Sequence, residues 1–342
     1  MKQSDTFTLT ASLTKLHGIS GRERAVGEFA AKALRKYIPD AAFRDGSVSA
    51  HLGSDPNKQT LLFCAHLDQV GFLVTDITDD GFLRIGAVGG IDHRLLLGQP
   101  VIIEGKETLR GVISILPPHL LKGEQAVPED AQLCIDLGVS SKDALSGKVS
   151  RGDAVYYATE PKMLSDVQMT APALDNRTGC AAVILAAKAL AEAGELPCNV
   201  VFYMSGQEER SGRGAKLCAA NEQPDYAIAV DTTFAVQHDD SDECYEMGKG
   251  PAIGISALLS QELSEALISA AEKAGIPYQT EIMPEHTGTD ADNLALAPGG
   301  CAAGTVSIPI RYMHTPIETV DLRDVSETAR LLAEFAKECG KA

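Results

Sequence analysis

Apolar and polar residues follow two different periods along this chain. From Asn199 to Ser205 the sequence reads N-V-V-F-Y-M-S, an apolar run closed by Gly206 that predicts a strand buried on both faces of a parallel or mixed sheet. The runs 60–65, 226–230 and 306–310 share that texture, and 276–283 reads as one more strand. Helical spacing recurs between them. The S-x-x-E box at Ser20–Glu23, followed by Val26, Phe29, Ala30 and Leu34, predicts a helix over 21–36. Further helices are expected over 180–193, ended by Gly194, and over 214–220, 261–274 and 324–339. Thr289 and Asp292 form a T-x-x-D box, a structural cap.

Between residues 71 and 161 the pattern shortens. Alternating segments at 72–77, 82–87, 100–104, 110–116 and 154–158 are broken by turns such as Asp79-Asp80-Gly81 and Val88-Gly89-Gly90. This predicts an α/β protein with a central mixed sheet flanked by helices, formed by residues 1–70 and 162–342. A β-rich domain at 71–161 is inserted into it, for association or for covering the active site.

The apolar runs end in reactive groups. The run at 60–65 ends in His66-Leu67-Asp68, and period two puts both polar side chains on one side, where Asp68 can orient the His66 imidazole. Taken alone, the same pair describes a core histidine with a hydrogen-bonded aspartate. The run at 226–230 ends in Asp231, and the last one leads through Arg311-Tyr312-Met313 to His314. Asp175 lies where an N-cap aspartate lies. After Ser205-Gly206-Gln207 come Glu208 and Glu209; on extended chain adjacent side chains diverge, so the two acids are expected to do different work.

His66, Asp175, Glu209, Asp231 and His314 are nitrogen and carboxylate donors suited to zinc or cobalt, with manganese acceptable. Five are too many for one catalytic zinc and enough for two ions if one carboxylate bridges. With Asp175 shared, His66 and Asp231 complete one site and Glu209 and His314 the other. Two divalent ions, three ligand carboxylates and a hydroxide sum to a neutral cluster, which can be buried. Glu208, beside a ligand but aimed elsewhere, then fits a general base.

Charge and cysteines narrow the partners. With 47 acids against 30 bases the net charge is −17, which argues against nucleic-acid or anionic-membrane partners, because phosphate binding needs a basic surface. No secretory h-region and no run of membrane-spanning length occurs. The eight cysteines are scattered without a C-x-x-C pair, as expected of reduced thiols in a cytoplasmic protein.

From about Leu16 to Leu322 the chain resembles the M42 metallo-aminopeptidases. The motifs are A-H-L-D-Q-V-G-F at 65–72, L-D-N-R-T-G at 174–179, Q-E-E at 207–209, V-D-T-T at 230–233, G-T-D at 288–290 and R-Y-M-H-T-P-I-E at 311–318. The resemblance implies a zinc-peptidase-like fold, with the family's ligands on the five residues above and its general base on Glu208. It implies a β-barrel-like inserted domain that dimerises, assembly of twelve subunits, short peptide substrates with a free N-terminus, and an unusual backbone such as a cis peptide at Asp175-Asn176. Pro284-Glu285-His286-Thr287 departs from the family's glycine-rich sequence, so specificity is expected to be this chain's own. Hydrolysis of another amide, a non-catalytic metal-binding scaffold, and a glycosidase pairing Glu208 with Asp231 are the competing readings.

Overall fold

A computed structural model describes residues 3–114, 118–120, 133–238 and 244–340. Four parallel strands form the middle of an eleven-stranded sheet, in the order Asn199–Ser205, Thr60–His66, Tyr226–Phe234 and Ala302–Arg311. The first two are buried from their second residue onward, as their apolar sequences predict. Antiparallel strands extend both edges: Ser47–Leu52 and Ala42–Arg44 on one side, Glu318–Asp321, Gln168–Ala171 and Lys162–Met163 on the other. Ala252–Ser256 pairs with Ala302–Arg311 and carries Gln279–Met283 as its parallel neighbour.

The longest helix, Leu174–Ala193, is alanine-rich on the face that packs against the sheet and is buried through most of its length. Its expected start at 180 moves back to Leu174, because the first turn is interrupted by non-helical Asp175 and Asn176, which are joined by a cis peptide. The helices Gln261–Ala274 and Leu322–Glu338 begin on Ser260 and Asp321, whose side chains accept from Leu263 N and Arg323 N. Thr289 caps Asp290–Ala295 by accepting from Ala291 N. In place of the reciprocal bond of a capping box, Asp292 accepts from the amides of Thr287 and Gly288.

The other expected box is not formed. The helix there is Arg24–Leu34 with Glu23 at its start and no side-chain cap. Ser20 is drawn away to Asp68, and the Glu23 carboxylate accepts from Gly21 N and Gln207 N. A helix at Gln3–Thr14, whose β-branched threonines hide it in the sequence, packs Leu13 onto the core.

The short strands Gly71–Ile77, Leu83–Val88, Pro100–Glu104, Thr108–Ile113, Cys134–Asp136 and Ala154–Tyr157 close into a barrel with its own core, including Phe72, Ile85, Val101, Ile113 and Val155. The expected strand at 110–116 starts earlier, and its residues 115 and 116 lie outside the described residues.

Candidate metal centre

All four central strands deliver polar groups to the same edge of the sheet, because parallel strands share one carboxyl end. His66 closes its strand opposite Ser205, and Asp231 lies within Tyr226–Phe234, which runs four residues past the expected run 226–230. The chain leaving Ala302–Arg311 brings His314, and the loop after Ser205 brings Glu208 and Glu209.

Those two glutamates begin a helical turn, Glu208–Ser211, and not the extended segment expected from sequence. The cause is the loop: Gln207 adopts a left-handed conformation, and the Asp68 carboxylate accepts from Glu208 N at 3.0 Å and Glu209 N at 3.2 Å. Asp68 is thereby spent on the turn. His66 Nδ1 faces the Asp68 carbonyl oxygen at 3.1 Å, while the nearer carboxylate oxygen is 3.8 Å away. The backbone, and not the carboxylate, meets that imidazole.

The remaining groups converge. His66 Nε2 lies 3.2 Å from Asp175 Oδ1 and 3.6 Å from Asp231 Oδ1. His314 Nε2 lies 3.3 Å from Asp175 Oδ2 and 3.4 Å from Glu209 Oε1. Each oxygen of Asp175 thus faces a different histidine. Donors held at ~2.0–2.2 Å around a tetrahedral ion stand about 3.3–3.6 Å from one another, close to the 3.2–3.6 Å found here. Asp175 Oδ1 and Glu209 Oε1 are buried and carry no hydrogen bond, so their lone pairs are aimed at a point between groups. One donor atom from each of His66, Asp175 and Glu209 lies within 4.8 Å of the others. The donor set fits a divalent cation.

Titration tells the same story. Burial opposes charge on both histidines, yet the facing carboxylates prevail and raise His66 well above the ordinary imidazole range and His314 to about 10. Burial pushes Glu208 up to about 9 and Glu209 to about 7, with neighbouring acids adding to both. Burial also acts to raise Asp175, but the two imidazoles outweigh it and hold the carboxyl below the usual range. Such opposed shifts mark a site short of positive charge.

Several supports were not visible in sequence. Glu318, in the quoted T-P-I-E run, accepts from Asp175 N at 3.0 Å and His314 N at 2.7 Å, tying two site residues to one buried carboxylate. His314, itself in the left-handed region, points Nδ1 at Gly90 O, 2.7 Å away. Asn176 donates to Val230 O, one residue before Asp231. Gly179 is needed beneath it, since a Cβ there would fall 2.8 Å from the same carbonyl. Buried Asp290 is hydrogen-bonded by Ser205 and sits near enough to Glu208 to raise it further.

The five candidate ligands and Glu208 line a cavity of about 440 Å³ whose wall also includes Thr233, Phe234, Glu281, Thr287, Gly288 and Met313. Of the departing loop, Thr287 reaches the cavity, while Glu285 and His286 are exposed.

The family profile described as M42 glutamyl aminopeptidase matches residues 46–331. The chain belongs to the M42 family. It is therefore an aminopeptidase, a hydrolase acting on peptides, in a family whose members are metal-dependent. A lysyl aminopeptidase of Pyrococcus furiosus is 33% identical over 341 residues, 97% of each protein. Among solved structures, the aminopeptidase APDkam598 of Desulfurococcus kamchatkensis superposes with a TM-score of 0.92 at 33% identity, covering 98% of this chain and 96% of that one. The TET1 peptidase of Pyrococcus horikoshii, which can assemble into a tetrahedron or a large octahedral shell, gives 0.87 at 33% identity, covering 98% and 100%. The M42 fold expected from sequence, a mixed sheet flanked by helices, is the fold found. Among the described residues no helix is long and apolar enough to cross a membrane.

Proposed function

We propose that this M42 peptidase removes N-terminal residues from short peptides at a centre of two divalent ions, zinc or cobalt by donor chemistry with manganese acceptable. The observation that carries the reading is the division of Asp175: Oδ1 faces His66 and Asp231, whereas Oδ2 faces His314 and Glu209. When bound, the ions polarise the scissile carbonyl and acidify a water. The chain's own work is done by Glu208. Its Oε2 lies 4.0 Å from His66 Nε2 at the cavity wall, beside the donors but not among them. Glu208 Oε2 takes the proton of the attacking water, holds it, and donates it to the departing amine. Asp68 fixes the turn carrying that carboxylate, and Glu318 fixes the backbone of Asp175 and His314.

A glycosidase reading leaves both histidines without work, and a non-catalytic scaffold leaves Glu208 unused. Amide hydrolysis without a free amine is separated by assay: N-acylated peptides should be inert where the free-amine forms are cut. The barrel within 71–161 is proposed as the dimerising unit. A closed tetrahedral particle would hold twelve copies in equivalent positions. Eight free thiols fit a reducing, cytoplasmic setting.

Glu208→Gln is the direct test. It should keep two bound ions and the wild-type melting temperature while hydrolysis falls by roughly 10²–10⁴-fold. A variant that retains full turnover removes Glu208 from the role, and one stoichiometric ion removes the two-ion centre.

A further inference from the structure

The strand Gln279–Met283 has its polarity inverted. On an edge strand the apolar side chains are expected to turn inward and the charged ones outward. Here Ile282 is 60% exposed, while Glu281 is 9% exposed and lines the cavity of the metal centre. Glu281 Oε1 accepts from Thr233 Oγ1 at 2.5 Å, and Oε2 is buried with no aligned hydrogen bond. Among the described residues no lysine or arginine lines the cavity. Burial raises the Glu281 carboxyl, with the Thr233 and Ser307 hydroxyls opposing the rise, so its charged form is held at least cost when a cation enters the cavity beside it. A buried carboxylate without one is costly.

We propose that Glu281 determines specificity in this peptidase, receiving the side-chain cation of an N-terminal lysine or arginine, so that peptides beginning with a basic residue are preferred. The inference rests on the aminopeptidase reading of the same cleft. Thr233 lies two residues beyond Asp231 on extended chain, hence on the same side and about 6.6 Å further out. The substrate's α-amine is bonded to the carbon bearing the scissile carbonyl and stays beside the centre, too close in to meet Glu281. A lysine stem spans about 6 Å, which matches the offset. Met313 and Phe234, in the same wall, offer apolar surface to its methylenes. The preference departs from the acidic residue in the family description, because an N-terminal glutamate would meet Glu281 with like charge.

The test compares lysyl, arginyl, norleucyl, leucyl and glutamyl p-nitroanilides on the metal-loaded wild type and on Glu281→Gln, which keeps an oxygen for the Thr233 hydroxyl. Wild type should favour lysyl over norleucyl, its uncharged analogue of similar length, by at least tenfold in kcat/KM. Glu281→Gln should lose at least tenfold on lysyl and arginyl and stay within threefold on norleucyl and leucyl. No lysyl preference in the wild type, or an equal loss on every substrate in the variant, overturns the proposal. Calorimetry with L-lysine and L-norleucine supplies a readout without turnover: lysine should bind at least tenfold tighter to wild type, and the difference should vanish in Glu281→Gln. A protein inert toward every aminoacyl substrate that still discriminates these ligands would refute the peptidase reading and keep the Glu281 assignment; equal binding would refute the assignment itself.

Discussion

Two groups of buried acids in this molecule are treated in opposite ways. At the start of the last helix, Asp324 is fully buried, and its two oxygens accept from Gly248 N at 2.6 Å and Gly250 N at 2.8 Å. Its neighbour Asp321 is held by Arg323 through two side-chain bonds of 2.7 and 2.9 Å. At the carboxyl edge of the sheet, Asp175 Oδ1, Glu209 Oε1 and Glu281 Oε2 are equally buried and unbonded. Burial raises both Asp324 and Glu208, but amide donors limit Asp324 to about 6, while neighbouring acids help drive Glu208 to about 9. The difference separates structural acids from working ones: the chain completes the first set and leaves the second to be completed by ions and substrate.

The largest break in that contrast comes from Asp175→Asn. Replacing one oxygen of the carboxylate that both halves of the centre share should reduce bound metal from two ions to one or none, measured by elemental analysis after gel filtration. Activity should fall by at least about 10³-fold, since both the ions and the base they serve are disabled. The melting temperature of wild type should drop on chelation, because binding to the native state adds stability, and that drop should shrink or vanish in the variant. A variant that still binds two ions with wild-type affinity would sink the shared-carboxylate arrangement.

Asp324→Ala is the converse experiment. Two amides lose their acceptor, the buried one of Gly250 worth about 1–3 kcal/mol when left unsatisfied and the part-buried one of Gly248 worth less, so stability should fall by about 2–4 kcal/mol in denaturant unfolding of the metal-free protein. Metal content and kcat/KM at low temperature should stay as in wild type. If activity falls with stability unchanged, the division between the two acid groups is wrong.

That division was only half legible in the sequence. His66, Asp231 and Glu209 could be found because each interrupts or follows an apolar run, and a buried run that stops at a charged residue delivers it to the sheet edge. Glu318 could not, since its partners, the amides of Asp175 and His314, are brought to it only by the folded chain. Asp68 was found, but the amides of Glu208 and Glu209 that its carboxylate also accepts from were not, because alternation shows which side a group occupies and not which of its neighbours is nearest. Glu281 was invisible for a stronger reason. In Q-T-E-I-M the period-two rule turns Ile282 inward, and only the packed strand reveals the opposite phase. The first helix was missed because threonines carry little helical signal, although Thr6 and Thr10 are buried in the structure.

A third class of acid, at the surface, sharpens the contrast at its small end. Asp40 and Glu222 are supplied with a cation by the chain itself, His51, whose Nδ1 and Nε2 lie 2.7 and 3.0 Å from their carboxylates. The hydrogen bond to Glu222 does most to raise His51, burial opposes it, and Asp40 adds to the rise, giving a value of about 9. An unfolded histidine titrates near ~6.5. The folded state therefore binds the extra proton between about 6.5 and 9: the stabilisation is complete below that window and is lost as pH rises through it. Since the imidazole is 40% exposed, solvent screens the pair and the effect should stay below about 1 kcal/mol. His51→Gln should flatten the decline in stability between pH 6.5 and 9 and leave metal binding and activity unchanged. An identical pH slope in variant and wild type would show that these surface acids, unlike the two buried groups, do not depend on what completes them.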